Sequence, residues 1–269
     1  MRTGGPDGLE GFHPLVAEWF RTRVGTPSAP QREAWPEIAA GRSVLVSAPT
    51  GAGKTLAAFL EAIDRLFVAG LSGALPEGVH VLYVSPLKAL NNDINRNLDR
   101  PLAEIRAMCA ARGIAFPDIR KAVRTGDTPA SERQSMLKKP PHILITTPES
   151  LFLLLTSARS AEFLRHVRYL ILDEIHAVLG SKRGAHLSLS VERLAALAAP
   201  GLVRIGLSAT VNPPSVAALF LGGLDAAGEP NPVRLVAPPL EKLKDLMIEM
   251  PVADYRSLEA GSVWPDVYD

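Results

Sequence analysis

The chain has 269 residues, 47% hydrophobic and 21% charged, with 29 basic against 28 acidic side chains and a formal net charge of +1. That is enough for one α/β unit with a sizeable core, and it excludes a disordered, fibrous or disulfide-framed class. The near-zero charge balance carries no global signature of nucleic-acid binding, so any such contact has to come from local residues.

Residues 1–10 are Gly-rich and polar, without the apolar centre of a signal peptide. Residues 1–42 read as a helical preface lying outside the core, with helices over 14–23 and 30–40. An apolar strand is expected over 43–47 and an amphipathic helix over 53–69. Strands follow over 79–85, 119–123, 142–146, 167–173, 202–207 and 232–236. Helices are expected between them over 87–112, 129–138, 148–155, 184–198 and 214–221. Cys109, the single cysteine, falls in the long helix, cannot form an internal disulfide and is expected to pack. Several strands are nearly continuous apolar runs, which suits burial on both faces. Alternating strands and helices with short connections predict a parallel sheet flanked by helices on both faces. No apolar run approaches membrane-spanning length, and a cytoplasmic location without membrane contact is the expectation. Residues 43–221 form the expected α/β core domain, and 222–269 the strand and linker leading out of it.

Three motifs stand at strand ends, where ligands bind on such sheets. The first is Ala48-Pro49-Thr50-Gly51-Ala52-Gly53-Lys54-Thr55. Gly51 and Gly53 let the backbone close on a polyphosphate with successive N–H groups turned inward. The following helix adds its N-terminal partial charge. Lys54 then bridges the outer phosphates and the Thr55 hydroxyl ligates Mg²⁺. The usual pattern opens with Gly, where this chain has Ala48.

The second is Asp173-Glu174-Ile175-His176. In phosphate-loop enzymes an acid at this point holds Mg²⁺ through water, and a neighbouring Glu activates the attacking water. His176 has no second His or Cys at ligand spacing, so zinc is not expected. The third, Ser208-Ala209-Thr210, places small hydroxyl residues beside the acidic motif, where they can pass nucleotide state to another surface.

These three segments resemble motifs I, II and III of superfamily 2 DEAD/DEAH-type helicases, in order. Gln31 resembles the Gln upstream of motif I that reads the adenine edge, and Phe12 or Phe20 is the candidate to stack on the base. Pro86-Leu87-Lys88-Ala89-Leu90 resembles motif Ia, Arg124-Thr125-Gly126-Asp127 the glycine motif after it, and Thr147-Pro148-Glu149-Ser150 motif Ib. The stretches around 85–95, 146–151 and 173–179 are most similar to the large helicase-related (Lhr) family of DNA-stimulated translocases and helicases linked to repair.

The resemblance implies a RecA-like ATP-binding motor domain with ATP and Mg²⁺ as ligands. It implies Glu174 as the residue that orients and deprotonates water, and Lys54 and Asp173 as its partners on phosphate and metal. His176, Ser208 and Thr210 become coupling residues. Pro86, Lys88, Arg124, Thr125, Gly126, Thr147 and Pro148 line a path for single-stranded or partly duplex nucleic acid, DNA rather than RNA. Backbone contacts of that kind track a strand without reading its sequence. No aromatic stacking platform accompanies them, so base-stacking affinity should be modest.

No Gly-Arg-x-Gly-Arg-like element follows Thr210, so the arginine finger is expected from a second RecA-like domain outside this chain. The chain alone is then expected to bind nucleotide and hydrolyse it poorly. A non-catalytic binding module that keeps the fold is the alternative. A nucleotide kinase fits the second and third motifs badly.

Overall fold

The structure is a computed structural model that describes residues 7–75, 77–86, 94–209 and 211–239. The sheet and its helices belong to the unit Met1–Pro238, and Pro239–Asp269 forms a separate unit. In chain order the elements begin with α1 (Pro14–Arg23), α2 (Ala29–Ala39), β1 (Val44–Ser47), α3 (Lys54–Leu71) and β2 (Val81–Val84). A π turn, Asn95–Asp99, leads into α4 (Arg100–Ala111), followed by β3 (Lys121–Arg124), α5 (Ala130–Lys138) and β4 (Ile143–Thr146). Then come α6 (Pro148–Thr156), α7 (Ala158–Leu164), β5 (Tyr169–Leu172), a 3₁₀ turn (Ile175–Ala177), α8 (Lys182–Leu197), β6 (Val203–Ser208), α9 (Pro214–Gly222) and β7 (Arg234–Val236).

The seven strands form one sheet in the order β3-β4-β2-β5-β6-β1-β7, and every pairing is parallel. β1, β2, β4, β5 and β6 are buried along their whole length. That is why their sequences are continuous apolar runs rather than alternating ones. The edge strand β3 alternates exposed and half-buried residues. Parallel pairing puts all carboxyl ends on one side. The loops after β1, β5 and β6 lie on one half of that rim, and those after β2, β3 and β4 on the other.

Each predicted strand is present; most are trimmed by one or two residues, while β3 and β6 start later and run one residue past the expected carboxyl end, to Arg124 and Ser208. The helix expected over 87–112 is described only from residue 94, as the π turn and α4. Helix α7 was not expected; it starts after Ser157. Within 222–269, β7 stands where a strand was expected, and the residues beyond 239 lie outside the described part.

The helical preface is part of the core rather than outside it. Leu15, Val16, Trp19 and Phe20 of α1, with Ala34, Trp35 and Ile38 of α2, belong to the same buried cluster as α3 and the sheet. Trp35 Nε1 donates to the Ala57 carbonyl inside α3 at 3.1 Å. Burying each such large side chain is worth about 1.5–3 kcal/mol, which holds α1 and α2 beside the loop that follows β1. The aromatic spacing that produces this belongs to two short helices and has no period matching the sheet.

Candidate active site

β1 ends at Ser47, and the chain turns through Gly51 (φ +84°) and Gly53 (φ +82°) into α3. Both angles lie in the left-handed region that glycine enters without strain. A Cβ on Gly53 would come within 2.6 Å of Gln31 Nε2, so a side chain there would displace the Gln31 amide. Gln31 sits under the loop: its Nε2 donates to the Gly53 carbonyl at 3.2 Å, and its Oε1 accepts from the Ser28 amide at 2.9 Å. Ser28 Oγ in turn donates to the Ala52 carbonyl at 2.9 Å. The residue expected to read a base therefore also fastens the preface to the loop.

Lys54 is buried and folds back over the loop, with Nζ donating to the carbonyls of Ala48 (2.6 Å) and Pro49 (3.0 Å). Burial lowers its pKa from the ordinary lysine value, and the carboxylates of Glu174 and Asp173 oppose that shift. An ammonium so placed gains most from a polyanion arriving beside it.

Asp173 follows β5 and is also buried. Its Oδ2 accepts from the Tyr83 hydroxyl and its Oδ1 from the Glu174 amide, the latter at 2.9 Å. These two bonds fix the carboxylate at the strand end. Glu174 has φ 48° and is the only non-glycine residue at positive φ among those described. Such a conformation costs about 1–3 kcal/mol and clusters at functional sites. Here it turns the chain sharply into the Ile175–Ala177 turn.

Loop, acids and preface line one cleft of about 520 Å³ that includes Ser28, Gln31, Thr50–Leu56, Asp173 and Glu174. Its oxygen donors, the Thr55 hydroxyl and the Asp173 carboxylate, suit a hard cation such as Mg²⁺ that keeps most of its waters. Among the described residues no group of three or more His, Cys, Asp and Glu could hold a metal alone.

Phe12 and Phe20 do not face this cleft. They are 7% and 0% exposed and pack edge-on against Trp35, at 5.0 and 5.3 Å between ring centroids. The expectation that one of them stacks on a base is overturned, because both are needed in the core. The cleft is also lined by Arg23 and Val24 and by Arg96, Asn97 and Arg100. Sequence reading missed these three. The available signal was two arginines four apart within the helix expected over 87–112; Arg96 and Asn97 lie on the π turn, a feature often found at functional sites, and Arg100 opens α4.

β6 pairs directly with β1, and Ala48 N donates to the Ser208 carbonyl at 3.2 Å. His176 Nδ1 lies 3.2 Å from Ala209 N, 3.4 Å from Ser208 Oγ and 3.2 Å from Glu174 Oε2. Unprotonated, Nδ1 accepts from the Ala209 amide; protonated, it donates to Glu174 instead. Expected coupling residues His176 and Ser208 thus meet, while Thr210 lies outside the described residues.

On the other half of the rim, Thr146 Oγ1 donates to the Arg124 carbonyl at 2.6 Å, joining the ends of β3 and β4. Arg124 Nη1 donates to the Thr125 carbonyl at 2.7 Å, and burial lowers its pKa. Arg133 of α5, not singled out in the sequence, donates to the carbonyls of Gly126 (2.8 Å) and Thr128 (2.7 Å) and shapes this loop. Thr147 and Pro148 are buried. Thr147 Oγ1 caps α6 by accepting from Ser150 N at 3.4 Å, with Pro148 in the first turn. Both residues thereby hold the start of α6. Pro86 stands at the end of β2, and Lys88 lies outside the described residues.

Residues 28–219 match the model of the DEAD/DEAH box helicase family. The chain is 50% identical over 99% of its length to the Lhr helicase/probable uracil glycosylase of Mycolicibacterium smegmatis, covering 17% of that protein. It is 49% identical over 94% of its length to the ATP-dependent helicase Lhr-Core protein 2 of Thermococcus barophilus, covering 29% of it. Among solved structures, Mycobacterium smegmatis helicase Lhr bound to single-stranded DNA and AMP-PNP matches with a TM-score of 0.81 and 50% identity, over 97% of this chain and 32% of that one. The chain therefore spans less than a third of each of these relatives.

Proposed function

The chain belongs to the DEAD/DEAH box helicase family, with residues 28–219 matching it, and we propose that it is the ATP-binding motor domain of a DNA-directed helicase or translocase of the Lhr type. The observation that carries this is the convergence of Gln31, Lys54, Thr55, Asp173 and Glu174 on one cleft. The proposed domain organisation is residues 1–42 as a docked preface carrying Gln31, 43–221 as the RecA-like body and 222–269 leading to a second RecA-like domain.

On this reading the loop amides of Thr50–Gly53 and the Lys54 ammonium hold the phosphates, and Thr55 with Asp173 holds the cation. Mg²⁺ supplies charge neutralisation at the β- and γ-phosphates when bound. Glu174, turned by its left-handed backbone, orients a water and takes its proton. Gln31 has one Nε2–H and one Oε1 lone pair beyond its bonds to Gly53 and Ser28, and these select the base edge. The second domain supplies the arginine whose absence costs about 10³–10⁵ in rate in related chemistry, so this chain alone hydrolyses ATP slowly.

The path along Pro86, Lys88, Arg124, Thr125, Gly126, Thr147 and Pro148 takes the strand backbone, with the buried Thr147 and Pro148 shaping it. Preference for DNA is supported by the Lhr relative held on single-stranded DNA. Among the described residues no helix is long and apolar enough to cross a membrane, which accords with the cytoplasmic location we infer.

The test is hydrolysis of ATP with the second domain supplied, with and without an oligodeoxythymidylate, alongside strand binding at several salt concentrations. Stimulation by the strand is expected. Lys88→Ala with Arg124→Ala should flatten the log–log salt slope by about 1.4, at about 0.7 per neutralised phosphate. Hydrolysis indifferent to any strand, or an unchanged slope, would contradict the reading.

A further inference from the structure

One guanidinium on the rim joins three segments that are distant in sequence. Arg183 Nε and Nη2 donate to Glu149 Oε1 and Oε2 at 2.6 and 3.2 Å, and Nη1 donates to the Pro86 carbonyl at 2.7 Å. Pro86 follows β2, Glu149 is in the first turn of α6 beyond β4, and Arg183 is in the first turn of α8 beyond β5. A fork-to-fork pair with a third bond from the remaining nitrogen is a geometry that arginine makes and lysine cannot. The helix start bearing Arg183 is itself fixed. Ser181 Oγ accepts from Gly184 N at 3.0 Å, and a Cβ on Gly184 would meet the Val178 carbonyl oxygen at 2.2 Å. The Arg183 and Glu149 side chains are 41% and 56% exposed, so the pair contributes little to fold stability. Arg183 lies beside the candidate strand path and does not line the nucleotide cleft.

The geometry points to Arg183 as a positioning residue that ties the strand-bearing loops after β2 and β4 to the segment carrying Asp173 and Glu174, so that strand binding sets the placement of the hydrolytic carboxylates. This rests on the motor-domain reading above. Asp173 and Arg183 bound one short segment, with the carboxylates at one end and the clamp at the other. A strand held at Pro86 and at the start of α6 thereby holds this segment. The interaction needs both charges: Arg183 holds the Glu149 carboxyl below the usual carboxylate range, so the pair remains ionised at neutral pH.

The experiment compares wild type, Arg183→Ala, Glu149→Ala and the double variant in the full-length protein. It reads fluorescent-ADP affinity and the stimulation of ATP hydrolysis by oligodeoxythymidylate. Nucleotide affinity is expected to stay at the wild-type value. Each single variant should need about tenfold more oligonucleotide for half-maximal stimulation, and the double variant no more than that, because the two residues act as one unit. Wild-type stimulation in Arg183→Ala, or single losses that multiply in the double variant, would overturn the coupling role. So would a parallel loss of nucleotide affinity in Arg183→Ala, which would mark a general structural defect. A wild-type protein that hydrolyses ATP without responding to the strand would instead remove the motor-domain reading, and the inference with it.

Discussion

His176 Nδ1 accepts a hydrogen bond from the Ala209 amide at 3.2 Å, joining the loop after β5 to the loop after β6. Glu174 Oε2 is the same distance from that nitrogen. One imidazole thus touches both the acid assigned to water activation and the strand end next to the phosphate loop.

Replacing His176 with Ala removes that bridge and leaves the cleft-lining groups intact. Nucleotide affinity should hold within about twofold, while strand-stimulated hydrolysis falls about tenfold, the loss of one positioned hydrogen bond. A parallel titration of binding and stimulated rate checks this. An equal loss in both would mean that His176 supports the cleft itself.

Glu174→Gln keeps the shape at φ 48° and removes the base. With the second domain present, ATP binding should persist while hydrolysis drops by about 10²–10⁴. Single-turnover rates decide it, and an unchanged rate would move the proton acceptor elsewhere.

Acid should destabilise the fold through His80, near the amino end of β2. Burial pushes its pKa down to about 4, with a backbone bond at His166 opposing that and nearby Arg168 adding to it. As pH falls, the folded state therefore binds its proton later than the unfolded chain, whose histidine has the ordinary value of 6.5. Stability from this group is fully present above pH 6.5 and is lost as pH falls toward 4, by up to about 3 kcal/mol. Thermal unfolding between pH 7 and 4 should fall less steeply in His80→Gln than in wild type. Superimposable pH profiles would remove His80 from the account.

The sheet was readable because parallel strands buried on both faces leave apolar runs in the chain. Residues such as Val79, Asp173 and Ser43, at the margins of those runs, fall just outside the ladder, which explains the shortened strands. Gly51, Gly53, Lys54, Asp173 and Glu174 were readable because polyphosphate and metal chemistry demands those residue types at strand ends. What escaped notice depends on contacts across the fold. Nothing local to Phe12 or Phe20 says that Trp35 will enclose them. Glu149 and Arg183 are 34 positions apart, and each alone looks like a solvated surface charge. Thr147, expected to line the strand path, also caps α6, and its burial depends on packing that the local sequence does not show.

The central claim, that this cleft holds a nucleoside triphosphate through its phosphates, is tested most directly by calorimetric titration of Mg·ATP into the chain and into Lys54→Ala. Lys54 Nζ already lies over the loop carbonyls of Ala48 and Pro49, beside the place the outer phosphates would take. Removing it deletes the cation that neutralises them. The account predicts weak, measurable binding by the wild-type chain and loss of about tenfold or more in the variant. Equal affinity in the two proteins would contradict it.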